Sequence, residues 1–119
     1  MSSNKELLIG LAGQQNAGKS TTFNMLTGAN QHIANYPGVT VDKKSGSYKH
    51  QDFKIETVDL PGTYSLTSFS LEERVARDFL ITEQPDVIVN VIDASSLKRS
   101  LYFTFQVLEM GFPVVIALN

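Results

Sequence analysis

There is no cysteine among the 119 residues of this chain. That excludes thiolate metal sites and cysteine nucleophiles from this stretch, and it suits a reducing compartment. Charge surplus of either sign is also lacking: 10 Lys and Arg stand against 12 Asp and Glu, a formal net charge of −2. With no basic run, general nucleic-acid binding is disfavoured and no nucleic acid is expected as a partner. No apolar run approaches the roughly 18 residues that a membrane-spanning helix needs. The start, Met1-Ser2-Ser3-Asn4-Lys5-Glu6, is polar and lacks the apolar core of a signal peptide. Repeats, low-complexity tracts and linkers are absent too. What is there is 42% hydrophobic and 18% charged, one domain's worth of chain with enough apolar residues for a packed core. The stretch is cytosolic in character.

The sequence turns on Gly13-Gln14-Gln15-Asn16-Ala17-Gly18-Lys19-Ser20, which matches the phosphate-binding pattern G-x-x-x-x-G-K-[ST]. The apolar run Leu7 to Ala12 before it reads as a short buried strand. Thr21 to Leu26 after it reads as a helix that Gly28 can end. A triphosphate is well solvated, so a protein must replace its water with many donors. Successive backbone N–H groups in a glycine-rich turn do this, helped by the positive end of the helix they open. Gly13 and Gly18 permit the backbone angles and the close approach. Lys19 can reach the outer phosphates and the Ser20 hydroxyl can ligate magnesium. A chance match in so short a chain is on the order of one in a few hundred, and the strand and helix on either side lower those odds.

Further along, Ala29 to Thr40 is polar, contains a Pro37-Gly38 turn and shows no period, so it is expected to be an exposed, mobile loop. Val41 to Tyr48 tolerates β-structure, Phe53 to Asp59 alternates, and His50-Gln51-Asp52 between them reads as a turn, which predicts an antiparallel hairpin. Ser70-Leu71-Glu72-Glu73 has the form of a capping box. Leu71, Val75, Phe79 and Leu80 then carry helical spacing to about Thr82. Val87 to Asp93 is a buried strand by composition. Leu101, Phe105 and Leu108 form the apolar stripe of a helix that Gly111 can close. Pro113 to Leu118 reads as a fifth strand, again buried. Strands alternating with helices predict an α/β fold, a mainly parallel sheet with helices on both faces.

Asp59-Leu60-Pro61-Gly62 has the D-x-x-G form at a strand's carboxyl end, where doubly wound sheets bind ligands. Asp59 can hold magnesium through a water, the Gly62 N–H can touch the terminal phosphate, and Thr40 can add a hydroxyl to the metal. Each is a weak signal alone; in this order beside the phosphate loop the set is strong. Asn119 stands where such proteins begin the guanine-reading N-x-x-D motif, whose Asp lies beyond the chain. As a lone terminal Asn it is equally an ordinary residue.

These motifs resemble the N-terminal G domain of the ferrous iron transport protein B family. The resemblance rests on Gly13 to Ser20, Tyr36-Pro37-Gly38-Val39-Thr40-Val41 and Asp59-Leu60-Pro61-Gly62-Thr63-Tyr64-Ser65-Leu66. It continues in Val91 to Ser95, Leu97 to Tyr102 and Val115 to Asn119, and so covers about Leu7 to Asn119. It implies a Ras-like P-loop GTPase fold, GTP and GDP as ligands, and magnesium held by Ser20, Thr40 and Asp59. The implied nucleotide contacts are Gly13, Gln14, Gln15, Asn16, Ala17, Gly18, Lys19, Ser20, Thr21, Gly38, Val39, Thr40, Asp59, Leu60, Pro61, Gly62 and Asn119. It further implies a parent protein in the bacterial inner membrane, with this domain on the cytoplasmic face regulating a transmembrane iron-transport region, next to a helical domain. A homo-oligomer is left open, and no ligand cluster for iron is present. On this reading residues 1–119 form a single G domain, a fragment whose C-terminal part is missing.

For hydrolysis, the expected catalytic set is Lys19, Thr40, Gly62 and Thr63. Ras-like enzymes carry a water-orienting Gln after the D-x-x-G glycine; here Thr63 and then Tyr64 stand there, so slow turnover is expected. Thr63 as a plain turn residue is as good a reading as Thr63 as a catalyst. The resemblance suggests that Asn16 ligates a potassium ion in place of an arginine finger; an Asn that only rigidifies the loop is the equal alternative. Tyr36 either stacks on the nucleotide or a partner, or covers loop backbone. His32 and His50 are read as solvated loop residues, and Glu72 and Glu73 as helix-terminus acids. Arg74, Arg77, Lys98 and Arg99 are read as exposed. Against the slow GTPase stand a nucleotide-binding module with negligible turnover, and a GTPase acting on ribosomes or RNA; a generic ATPase is weakest.

Overall fold

The computed structural model describes residues 5–14, 17–28, 30–67 and 69–118, the side chain of Ser96 excepted. Its strands are β1 (Lys5–Gly13), β2 (Gln31–Asn35), β3 (Asp42–His50), β4 (Phe53–Asp59), β5 (Val87–Ile92) and β6 (Val114–Leu118). They form one sheet in the order β2-β3-β4-β1-β5-β6. β1 runs parallel to both β4 and β5, and β5 parallel to β6, while β2-β3 and β3-β4 are antiparallel. The helices are α1 (Lys19–Thr27), α2 (Leu71–Glu83) and α3 (Leu97–Glu109).

Strand alternation sends successive side chains to opposite faces, and the helices divide accordingly. Leu11 and Val91 pack with Ala17 and Phe23 under α1. Ala12, Val58 and Ile88 face the other way, against Val75, Phe79 and Leu80 of α2 and Phe103 and Val107 of α3. Helices therefore cover both faces, as the alternating pattern requires. The capping box forms: the Ser70 hydroxyl accepts from the Glu73 N–H at 3.1 Å, and Glu73 Oε1 accepts from the Ser70 N–H at 2.9 Å. Such a cap stabilises a helix by about 1 kcal/mol.

Several expectations are corrected. The stretch read as a mobile loop contains β2, an extra strand whose pairing with β3 supplies what its own sequence does not. Gln31 fastens it to the end of α1, its Nε2 donating to Asn24 Oδ1 at 2.9 Å, Thr27 Oγ1 at 3.0 Å and the Gly28 carbonyl at 3.1 Å. The sheet thus has six strands, and the predicted fifth is the sixth. His32 and His50 are exposed as expected, but they lie on β2 and β3 rather than in loops.

On α3 the buried residues are Ser100, Phe103, Thr104 and Val107, and Phe105 is 61% exposed. The helix is apolar on two sides, so periodicity alone could not choose. Asn90 does: buried on β5, its Nδ2 donates to Thr104 Oγ1 at 2.8 Å and to the Ser100 carbonyl at 3.4 Å. A buried amide left without partners is costly, so α3 rotates its polar pair inward. Finally, β6 comes last in the described order, paired with β5, with Val115, Ile116 and Leu118 exposed.

Candidate functional site

β1 ends where β5 crowds it. A Cβ on Gly13 would lie 2.3 Å from the Val91 carbonyl oxygen, and the residue's φ is +127°, so only glycine fits. The chain then turns, the Ala17 N–H donating to the Gln14 carbonyl at 3.0 Å. Gly18, left-handed at φ 91°, caps α1 without a side chain. Its carbonyl accepts from the Thr22 N–H at 3.0 Å and from Thr22 Oγ1 at 3.1 Å. Thr22, rather than the exposed Thr21, is thus the threonine that closes the first turn.

Lys19 begins α1 yet is only 3% exposed. Its ammonium lies 3.0 Å from Asp59 Oδ1 and donates to the Leu60 carbonyl. Leu60 is held in turn by its N–H, which bonds to the Leu11 carbonyl at 2.9 Å, one step past the β1–β4 ladder. The phosphate loop and the D-x-x-G segment are therefore one unit at the carboxyl ends of β1 and β4. Gly62 belongs to it as well: a Cβ there would come within 3.0 Å of Gln14 Oε1. Asp59 Oδ1 is buried and, despite its contact with Lys19, takes no hydrogen bond of good geometry. A carboxylate oxygen so placed keeps capacity for a hard cation.

The other predicted residues divide. Ser20 and Thr40 are exposed, and so is Gly38, at φ 76°. Ala17 is buried under α1, Val39 packs against the α2-side core, Pro61 is half-buried, and the Leu60 side chain is core, so Leu60 serves the site through its backbone. Thr63 makes a local turn: its hydroxyl donates to the Ser65 carbonyl at 2.8 Å and accepts from the Ser65 N–H at 3.2 Å. Gln15, Asn16 and Asn119 lie outside the described residues. Arg74, Arg77, Lys98 and Arg99 are exposed, as read.

Of the two readings of Tyr36, the one in which it covers loop backbone fits the structure. It is buried, its ring meets Phe79 edge to face at 6.5 Å, and its phenol donates to the Asp59 carbonyl at 2.8 Å. Burial, and then the negative charge of Asp59, push its pKa well above the ordinary 10.0. Glu73 moves the other way: the Ser70 N–H, chiefly, holds its carboxyl below the usual value. Two partners of the D-x-x-G loop gave no signal in sequence. Gln106 on α3 accepts from the Leu66 N–H at 2.8 Å, and the Arg99 guanidinium lies 4.1 Å from the Tyr64 ring centroid. A polar residue on an amphipathic helix does not announce which loop it will reach.

Known proteins resemble the chain in sequence and fold. The family model described as "Ferrous iron transport protein B" matches residues 7–119. The "Fe(2+) transporter FeoB" of Methanocaldococcus jannaschii is 53% identical over 107 residues, covering 90% of this chain and 16% of its own length. That of Escherichia coli O157:H7 is 49% identical over 119 residues, covering 97% of this chain and 15% of its own. The chain thus spans about a sixth of these relatives. Among solved structures, the G domain of the T. maritima FeoB iron transporter superposes with a TM-score of 0.89 at 42% identity, over 95% of this chain and 71% of that one. A point mutant of S. thermophilus NFeoB bound to GDP gives 0.84 at 50% identity, over 95% of this chain and 43% of that one. The fold is accordingly the Ras-like P-loop fold.

Proposed function

The chain belongs to the ferrous iron transport protein B family, and on that premise we propose that it is a guanine-nucleotide switch. It binds GTP and GDP, hydrolyses GTP slowly, and reports its state to the transmembrane iron-transport region and adjacent helical domain of a larger parent protein. It works as a single G domain at the cytoplasmic face of the inner membrane, with ferrous iron as the parent's cargo. Among the described residues no helix is long and apolar enough to cross a membrane. The observation that carries the reading is the meeting of Lys19 with Asp59 and the Leu60 carbonyl at the carboxyl ends of β1 and β4.

The chain's own groups supply most of the chemistry. Amides of Gly13 to Thr21 line the phosphates at the positive end of α1. The Lys19 ammonium exchanges part of its contact with Asp59 and Leu60 for the outer phosphates. The Gly62 N–H and the Thr40 hydroxyl, with Gly38, Val39 and Pro61 around them, sense the terminal phosphate. Magnesium suits the oxygen donors Ser20, Thr40 and Asp59, and Asp59 Oδ1, buried with the Lys19 ammonium as its neighbour, supports that fit once Lys19 turns to the phosphates. When bound, magnesium neutralises charge on the phosphate oxygens. Asn16, on its place in the phosphate loop, is the proposed potassium ligand; equal turnover in potassium and sodium counts against it. Asn119 is proposed to contact guanine.

Slow turnover follows from Thr63, whose hydroxyl is committed to Ser65 in both directions and so is poorly disposed to orient water. That favours switching over rapid hydrolysis. Family membership weighs against a ribosome- or RNA-directed GTPase. Calorimetric titration with GTP, GDP and ATP in magnesium tests the reading. Guanine nucleotides are expected to bind, ATP to bind more weakly, and Lys19→Ala to lose binding. Absence of heat from every nucleotide overturns it.

A further inference from the structure

Among the described residues no strand pairs with the outer edge of β2, and its register states which atoms it offers. The Ser47 N–H donates to the Asn30 carbonyl, and the Tyr36 N–H to the Val41 carbonyl. In an antiparallel ladder bonded and non-bonded pairs alternate. With Asn30–Ser47 and Tyr36–Val41 bonded, His32–Ser45 and Ala34–Lys43 are bonded too. The N–H and C=O groups of Gln31, Ile33 and Asn35 therefore point away from β3, and β2 is terminal in the sheet.

Natural edges are usually blunted by charge, proline or a bulge, because unpaired backbone is a template for another strand. Gln31-His32-Ile33-Ala34-Asn35 carries neither proline nor Lys, Arg, Asp or Glu. It pairs with β3 in an unbroken five-residue register, and Ile33 is 67% exposed. Charge lies one strand behind: β3 carries Lys43, Lys44 and Lys49 against Asp42 alone, in a chain of net charge −2. Lys43 stands opposite Ala34, its ammonium 5.8 Å from the Tyr36 ring centroid, and Lys44 stands between Ile33 on β2 and Asp59 on β4.

From this edge and its flanking charge, we propose that β2 is a docking site for an extended, acidic segment of a partner polypeptide, which adds to the sheet as a seventh strand. Main-chain bonds to Gln31, Ile33 and Asn35 supply the pairing, Ile33 an apolar contact, and Lys43 and Lys44 the preference for acidic side chains. A second copy of this chain suits the edge poorly, since strand-to-strand pairing would bring two such lysine pairs together.

The test uses two short extended peptides, alternating valine with glutamate or valine with lysine, read by fluorescence anisotropy and amide hydrogen exchange. The acidic peptide is expected to bind more tightly and to slow exchange at Gln31, Ile33 and Asn35. Ile33→Pro deletes an outward N–H without touching the bonds to β3, and should weaken the acidic peptide about tenfold with the thermal melt retained. The double variant Lys43→Glu/Lys44→Glu should reverse the preference between peptides, and it serves also if the proline variant misfolds. Equal binding of both peptides, unprotected edge amides, or protection that arises from self-association of the chain overturns the proposal.

Discussion

The phenol of Tyr36 donates a hydrogen bond to the backbone carbonyl of Asp59, 2.8 Å away. Residue 36 starts the turn that leads to Thr40, while Asp59 ends β4 and pairs with Lys19. One buried bond thus joins the segment proposed to sense the terminal phosphate to the strand end proposed to sense the metal. Lys19 secures the same strand end from the other side, through the Asp59 carboxylate and the Leu60 carbonyl.

Tyr36→Phe tests that connection with little change of shape, because the ring keeps its contact with Phe79. The variant should lose about 1 kcal/mol of stability, the usual net worth of a buried hydrogen bond. It should also need more magnesium to bind nucleotide, since Asp59 is held less firmly. Urea melts and a magnesium titration of nucleotide binding measure the two effects. Unchanged magnesium dependence would reduce Tyr36 to a core residue.

The same tyrosine sets an alkaline limit. Its pKa is raised in the fold by burial and then by Asp59, so the unfolded chain gives up the phenolic proton first. The stabilising contribution is complete below pH ~10 and declines as pH climbs above it towards the folded pKa. Other groups titrate in that range, so the measure is the difference between the wild type and Tyr36→Phe. That difference should shrink above pH ~10.

Glu73 sets the opposite limit. Its pKa is lowered, first by the Ser70 N–H and also by the Phe69 N–H. The contribution is present above the ordinary carboxylate range and is lost as pH falls through the lowered folded value. Comparing Glu73→Ala with the wild type across acid pH should show the gap in α2 stability closing. A gap independent of pH would mean that the capping carboxylate contributes nothing through its charge.

The elements whose sequence pattern matches their burial were legible from sequence: β1 and its glycine loop, the β3–β4 hairpin, and α2 with its cap. Elements decided by a neighbour were not. β2 has no alternation of its own and exists because β3 pairs with it and Gln31 ties it to α1. α3 has two apolar faces, and only the buried Asn90 selects the one containing Thr104. The meeting of Lys19, Asp59 and the Gly62 segment was foreseeable because phosphate chemistry restricts residue type and spacing. Tyr36, Gln106 and Arg99 were not, since their roles depend on which backbone group or ring tertiary packing brings within reach.

Thr63 gives a direct check on where catalysis lies. Its hydroxyl is bonded to Ser65 as donor and as acceptor, so Thr63→Ala should loosen the turn while leaving GTP turnover within about threefold of wild type, a barrier change under ~1 kcal/mol. Single-turnover hydrolysis beside an affinity measurement separates the outcomes. Loss of turnover with intact binding would make Thr63 a catalyst after all.

Just beyond Thr63, residues 64–66 are strapped to α2 and α3. The Arg99 guanidinium covers the Tyr64 ring at 4.1 Å, Gln106 holds the Leu66 N–H at 2.8 Å, and Arg77 reaches the Leu66 carbonyl at 3.5 Å. A segment that responds to the terminal phosphate must therefore move α3 or break these contacts, which makes α3 the natural route by which the nucleotide state leaves the site. Arg99 is exposed, so Arg99→Ala should cost only about 0.5–1 kcal/mol. It should nevertheless speed amide exchange at residues 64–67 in the wild-type fold and weaken any nucleotide-dependent change in exchange along α3. Hydrogen exchange with GDP and with a slowly hydrolysed GTP analogue reads both. If α3 responds to nucleotide equally well without Arg99, the coupling runs through Gln106 and α2 instead.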